Sequence, residues 1–171
     1  MSKKSKISSE TKRMVTISVL ISVAMILSYV ESLIPAFVAI PGVKIGLSNI
    51  AAVFALYALG WPQAICVSVV RVVLSAMLFG NVQSLFFSLM GAALALVSMI
   101  LLKKTNKLTS VGVSVVGGVC HNIGQVIAAC IVLENAVIAY YIIPLLVSGT
   151  IAGVVIGIVA GNLVERVKKY I

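Results

Sequence analysis

The chain of 171 residues contains no aspartate; its four acidic residues, Glu10, Glu31, Glu134 and Glu165, are all glutamates. Charged residues make up 10% of it, against about 25% in soluble domains. Without aspartate there is no EF-hand calcium loop, no aspartyl-phosphate chemistry and no Asp-rich magnesium–diphosphate site. A single histidine, His121, cannot build a metal site alone. The three cysteines, Cys66, Cys120 and Cys130, are odd in number and lack CxxC spacing. On one helix Cys120 and Cys130 stand about 15 Å apart, so neither a disulfide framework nor structural zinc is expected, and all three read as buried packing residues. There is no Ser-His-Asp set, no pair of carboxylates across a cleft and no GxxxxGK[ST] phosphate loop. The chain therefore reads as a binder or conduit and not as an enzyme, with no cofactor and no metal.

What is abundant is apolar surface. Hydrophobic residues account for 61% of the chain and the mean hydropathy is +1.22, more than a soluble fold of this size can hide. Six apolar segments fall at about 14–32, 45–59, 63–79, 83–102, 110–133 and 136–164, and a bilayer core needs about 20 helical residues. The second is short; the fifth and sixth are long enough to tilt or protrude. Polar–apolar alternation is absent, which argues against strand spans. The expected fold is an all-α integral membrane protein, a six-transmembrane-helix bundle forming one domain over 14–165.

The 13 Lys and Arg residues give a net charge of +9. Lys3, Lys4, Lys6, Lys12 and Arg13 lie at the N-terminus, Lys103, Lys104 and Lys107 between the fourth and fifth segments, and Arg166, Lys168 and Lys169 at the C-terminus. With six spans all three clusters face one side, which the positive-inside rule makes cytoplasmic. Residues 1–13 and 166–171 are then cytoplasmic tails whose charge meets anionic lipid headgroups, with no need for nucleic acid. The first apolar run lacks a small-x-small cleavage site and reads as a retained helix.

Lys44 and Arg71 lie outside those clusters. Arg71 falls mid-segment with Ser68 and Ser75 on the same helix face. It either faces a ligand cavity and contacts an anion or pairs with a glutamate of a neighbouring helix. Residues 31–49 carry two prolines and two glycines in an apolar stretch, expected to fold back as a first extracytoplasmic loop over about 33–44, a candidate lid. Lys44, four residues before Ser48, either serves an anion there or snorkels to the interface. In the fifth segment Gly117, His121 and Gln125 recur every four residues, with Ser114 and Asn122 near the same stripe, so a polar stripe faces the bundle interior or a cavity. Gly149, Gly153, Gly157 and Gly161 form a small-residue seam, and Ser18 and Ser22 a shorter one, for helix packing or partner docking. Glu31 and Glu134 fall at outer helix ends, either as a gate or as solvated groups.

The run Pro41–Asn49 with its Lys44, Gly46 and Asn49, followed by Arg71 and by Gly112–Gln125 with its Ser114, His121, Asn122 and Gly124, resembles the Gx transporter family, described as heptaprenyl diphosphate synthase component I. That family is grouped with the substrate-binding S components of energy-coupling factor (ECF) transporters, six-helix proteins that bind vitamins or similar small molecules from outside. The resemblance implies a multi-pass protein of a prokaryotic plasma membrane, with a ligand pocket near the outer face. It also implies as partners a transmembrane coupling subunit and cytoplasmic ATPases. The Ala-xxx-Ala coupling seam of those first helices has its closest match here in Ser18 and Ser22. The expected function is a substrate-binding subunit for an anionic or amphipathic small molecule such as a vitamin, quinone or isoprenoid precursor, with Lys44, Asn49, Arg71, His121, Asn122 and Gln125 as its contacts. The alternative is a non-catalytic membrane accessory of isoprenoid or quinone biosynthesis or flavin-linked electron transfer. An aspartate-free chain cannot itself be the prenyl diphosphate synthase catalyst.

Overall fold

The computed structural model describes residues 3–33 and 46–167, with side chains from Glu10 onward. All regular structure among them is helical: α1 (Lys3–Leu33), α2 (Asn49–Ala58), α3 (Trp61–Phe79), α4 (Val82–Thr105), α5 (Ser110–Val132), a short 3-10 helix (Ala136–Tyr141) and α6 (Ile142–Val167). Five stretches are long and apolar enough to cross a membrane: Glu10–Leu33, Trp61–Phe79, Val82–Thr105, Ser110–Val132 and Ala136–Val167. The second apolar segment differs. It yields a helix of 10 residues, about 15 Å long at 1.5 Å per residue, half of a bilayer core.

The helix ends follow from local chemistry. Gly60, at φ 110, turns the chain between α2 and α3, and Pro62 sits in the first turn of α3, where its missing N–H is not needed. Asn81 and Ser84 form a capping box at the start of α4, with the Ser84 N–H donating to Asn81 Oδ1 at 2.8 Å. Asn106 ends that helix in the left-handed conformation, and Thr109 caps α5 by accepting from the Gly112 N–H at 3.2 Å. Pro144 falls in the first turn of α6, and a 3-10 turn precedes it.

α5 packs on α4 and on α6, α3 reaches α4, and α2 is wedged among α3, α6 and α1. Apolar on every side, α2 is buried through Ala51–Leu56, as such helices must be. The main apolar core gathers Val53 and Leu56 of α2 with Val67, Leu96, Met99, Val113 and Ile156. A smaller one joins Phe87, Ala128, Ala129 and Ile138. α1 rests on α3 and α2 through Ala24, Ser28 and Glu31, while Met14, Val19, Val23 and Ile26 on its other faces are uncovered. Ser18 and Ser22 also lie on the uncovered side, their hydroxyls donating to the Met14 and Ser18 carbonyls of their own helix.

The glycine seam of α6 lies directly on α5. A Cβ at Gly153 would come within 2.6 Å of Val115 Cα, and one at Gly157 within 2.6 Å of Val111 Cα. One at Gly149 would come within 2.9 Å of the Gly118 carbonyl oxygen, and one at Gly161 within 2.9 Å of Ser110 Oγ. Glycine here lets two helix backbones touch. The cysteines are less buried than packing residues would be: Cys66 is exposed, and Cys120 and Cys130 are half-buried. Cys66 sits on the outward face of α3, beside positions turned away from the core.

A buried polar cluster where α2 begins

α2 begins beside the middle of α3. Gly46 takes φ 91, a conformation that only glycine adopts without strain, and its carbonyl accepts from the Asn49 N–H at 2.9 Å. A Cβ on Gly46 would also lie 2.9 Å from Asn49 Nδ2 and 3.7 Å from His121 Cδ2. Ser48 occupies the N-cap position of α2, yet its side chain caps nothing. Its hydroxyl instead accepts from an Arg71 guanidinium nitrogen. The other terminal nitrogen of Arg71 donates to Asn49 Oδ1 at 3.1 Å. From α1, Glu31 accepts from the Gly46 N–H, and its carboxylate acts electrostatically on the guanidinium. Arg71 is 3% exposed and Glu31 6%, so the two charges balance each other away from water.

Arg71, which the sequence leaves between an anion contact and a glutamate partner, thus has protein partners in Ser48, Asn49 and Glu31. Ser68 and Ser75, each 2% exposed, lie buried on the same helix face. Lys44 and the rest of the expected lid at about 33–44, except Leu33 at the end of α1, lie outside the described residues.

The polar residues of α5 split between two faces. Gly117, His121 and Gln125 turn toward α4: a Cβ at Gly117 would meet Met99 Sδ at 2.5 Å, and one at Gly91 would meet Gln125 Cγ at 2.9 Å and His121 Cε1 at 3.0 Å. The imidazole therefore lies between Gly91 of α4 and Gly46 at the start of α2, which joins the α5 stripe to the arginine cluster. Asn122 turns the other way. Its Nδ2 donates to the Leu145 carbonyl of α6 at 2.5 Å, in space that Gly149 leaves open, so it braces two helices and is not part of the cluster. Consecutive residues on a helix point about 100° apart, which separates His121 from Asn122.

Gln125 is 0% exposed, and neither its Nε2 nor its Oε1 has a hydrogen-bond partner. Arg71 Nε, Ser28 Oγ and Ser114 Oγ are likewise buried without one. Buried amides are almost always paired, so an orphan primary amide beside a histidine is the feature of this cluster that most needs a reason. Glu134 stands apart, exposed in the turn after α5 with φ 48. Sequence reasoning did not single out Gly91 or assign Ser48 to Arg71. Gly91 had a signal, being the one glycine in the apolar run of α4; the turn of Ser48 away from its own helix end had none.

A family model described as heptaprenyl diphosphate synthase component I matches residues 20–163. No curated protein and no solved structure matches the chain.

Proposed function

Because the chain belongs to the heptaprenyl diphosphate synthase component I family, and its long apolar helices make it a multi-pass membrane protein, we propose that it is a membrane-embedded substrate-binding subunit of the S-component kind. It takes an amphipathic or anionic small molecule from the outer side and works with a transmembrane coupling subunit and cytoplasmic ATPases. In this reading the chain crosses six times with both termini in the cytoplasm.

Gln125 carries this reading. A fully buried amide with both ends unpaired is unfavourable by about 1–3 kcal/mol per group in the empty protein, and a ligand that supplies a donor and an acceptor removes that penalty. Support comes from the place where α2 starts. Interrupted helices that begin within the membrane mark the substrate sites of many transporters, and non-helical backbone at such depth is tolerated where it lines a cavity or is buried in protein. His121, Asn49 and Gln125 provide the directional contacts. With Arg71 balanced by Glu31, the positive charge for an anionic ligand is assigned to Lys44, which lies outside the described residues. In this reading the chain itself catalyses nothing; ATP hydrolysis belongs to its partners.

The test is native mass spectrometry of the intact chain purified in mild detergent from rich medium. A stoichiometric small-molecule adduct is expected. Gln125→Leu should lose it while keeping or raising the thermal midpoint, because no protein hydrogen bond is removed. An adduct undiminished in that variant overturns the assignment of the site. The family's own description favours one other reading, a non-catalytic accessory of a prenyl diphosphate synthase, and a chain that carries no adduct would support it.

A further inference from the structure

At the other end of α2 lies a second polar feature, which the substrate-binding reading does not use. A cavity of about 230 Å³ opens between α2, α3 and α4, with Gly60, Trp61, Ile100, Lys103, Lys104 and Asn106 among its walls. It is smaller than the roughly 300–1,000 Å³ of sites that enclose a whole drug-sized ligand. Its volume suits a headgroup whose remainder stays outside.

Its chemistry is that of an anion site with one additional demand. Lys103 is held in place, its ammonium donating to the Leu56 carbonyl at 2.5 Å and lying 4.9 Å from the centre of the Tyr57 ring. Lys104 is exposed beside it, and none of the described wall residues is acidic. α3 starts at this cavity without a side-chain cap, so the positive end of its dipole faces the same space. Gln63 lies behind the wall, 6% exposed, its Oε1 unpaired and 3.3 Å from where a Gly60 Cβ would stand. The phosphodiester of a glycerophospholipid satisfies the lysines but has no O–H for that acceptor; a hydroxyl on the headgroup supplies one. Leading away from the cavity, Trp61, Ile65 and Val69 are exposed at four-residue steps, one continuous apolar ridge along α3.

We propose that this cavity is a binding site for an anionic glycerophospholipid with a hydroxyl-bearing headgroup, of the phosphatidylglycerol class. The phosphate sits against Lys103 and Lys104, the headgroup hydroxyl donates to Gln63, and an acyl chain follows the Trp61–Val69 ridge. Basic pockets between membrane helices bind lipid headgroups in this way, and each lysine near such a phosphate strengthens binding about fivefold.

The experiment uses the intact chain reconstituted in vesicles of equal phosphatidylglycerol and phosphatidylcholine, followed by native mass spectrometry of retained lipid. One phosphatidylglycerol per chain is expected to persist. Lys104→Gln should weaken its retention about fivefold, whereas Lys107→Gln, which removes the same charge outside the cavity, should not. Gln63→Leu should weaken phosphatidylglycerol but leave phosphatidylmethanol, an anionic phosphodiester with no hydroxyl, unchanged. Equal retention of phosphatidylglycerol and phosphatidylcholine overturns the site. Equal losses in the Lys104 and Lys107 variants overturn it in favour of diffuse surface attraction. Displacement of the lipid by millimolar glycerol phosphate would assign the cavity to a soluble phosphate ester instead.

Discussion

Around α5 the helices meet backbone to backbone, whereas around α3 an apolar core is joined by one buried guanidinium that ties α3 to the start of α2. On the α5 side, Gly153 and Gly157 of α6 sit against Val115 and Val111. A Cβ at Gly124 would likewise meet the Met90 carbonyl of α4 at 2.6 Å. On the other side α1 and the start of α2 are gathered by Glu31, Gly46, Ser48, Asn49 and Arg71. Close helix approach is spread over many dispersion contacts, each small. A buried charge cluster concentrates its contribution in two or three atoms and fails all at once. The α4–α6 half is therefore the more uniform scaffold, and the α1–α3 half the part whose order can be shifted by one group.

The sharpest way to break the comparison is Arg71→Leu. It leaves Glu31 buried without its opposite charge, and a loss of about 3–5 kcal/mol is expected. The thermal midpoint should fall, with faster hydrogen exchange in α1 and α2 than in α6. The double variant Glu31→Gln/Arg71→Leu should recover most of the loss, since replacing both charges removes the uncompensated one. Gly153→Leu attacks the other half. The new side chain meets Val115 Cα and the Ser114 carbonyl oxygen at 2.6 and 2.9 Å, backbone atoms that cannot turn aside. A loss of up to about 3 kcal/mol follows from overpacking, this time with exchange rising in α5 and α6 and not in α1. The smallest effect is expected at Ser18 and Ser22, exposed on α1 and bonded within their own helix. The pair of changes to alanine should stay within about 0.5 kcal/mol in the isolated chain; a larger fall would mean that α1 is covered there by more than lipid.

The apolar segments were legible because hydropathy alone separates them, and α3, α4 and α5 lie within a few residues of the segments at 63–79, 83–102 and 110–133. The ends were less so. α1 extends back to Lys3 because nothing between Lys3 and Arg13 breaks a helix, although the residues are polar. Polarity marks where a membrane ends, not where a helix does. The sixth segment hid a 3-10 turn at Ala136–Tyr141. In the polar cluster, spacing along one helix placed Arg71 with Ser68 and Ser75, and His121 with Gln125. It misassigned Asn122 to that stripe, because which side of α5 meets α4 and which meets α6 is decided by Gly91 and Gly149, residues of other helices. The contact from Ser48 to Arg71, 23 positions apart, is a tertiary fact with no local signal.

The 10-residue length of α2 also bears on how the chain is made. A segment too short to bridge the hydrocarbon layer gains little by entering it alone, and its first turn has the polar groups of Ser48 and Asn49 to shelter. Those groups find their donor only in Arg71, which emerges from the ribosome later. Arg71 in turn is a poor passenger into lipid until Ser48 and Asn49 are at hand. Joined by the tight turn at Gly60, residues 49–79 therefore form a pair of arms in which neither shelters its polar groups from lipid without the other.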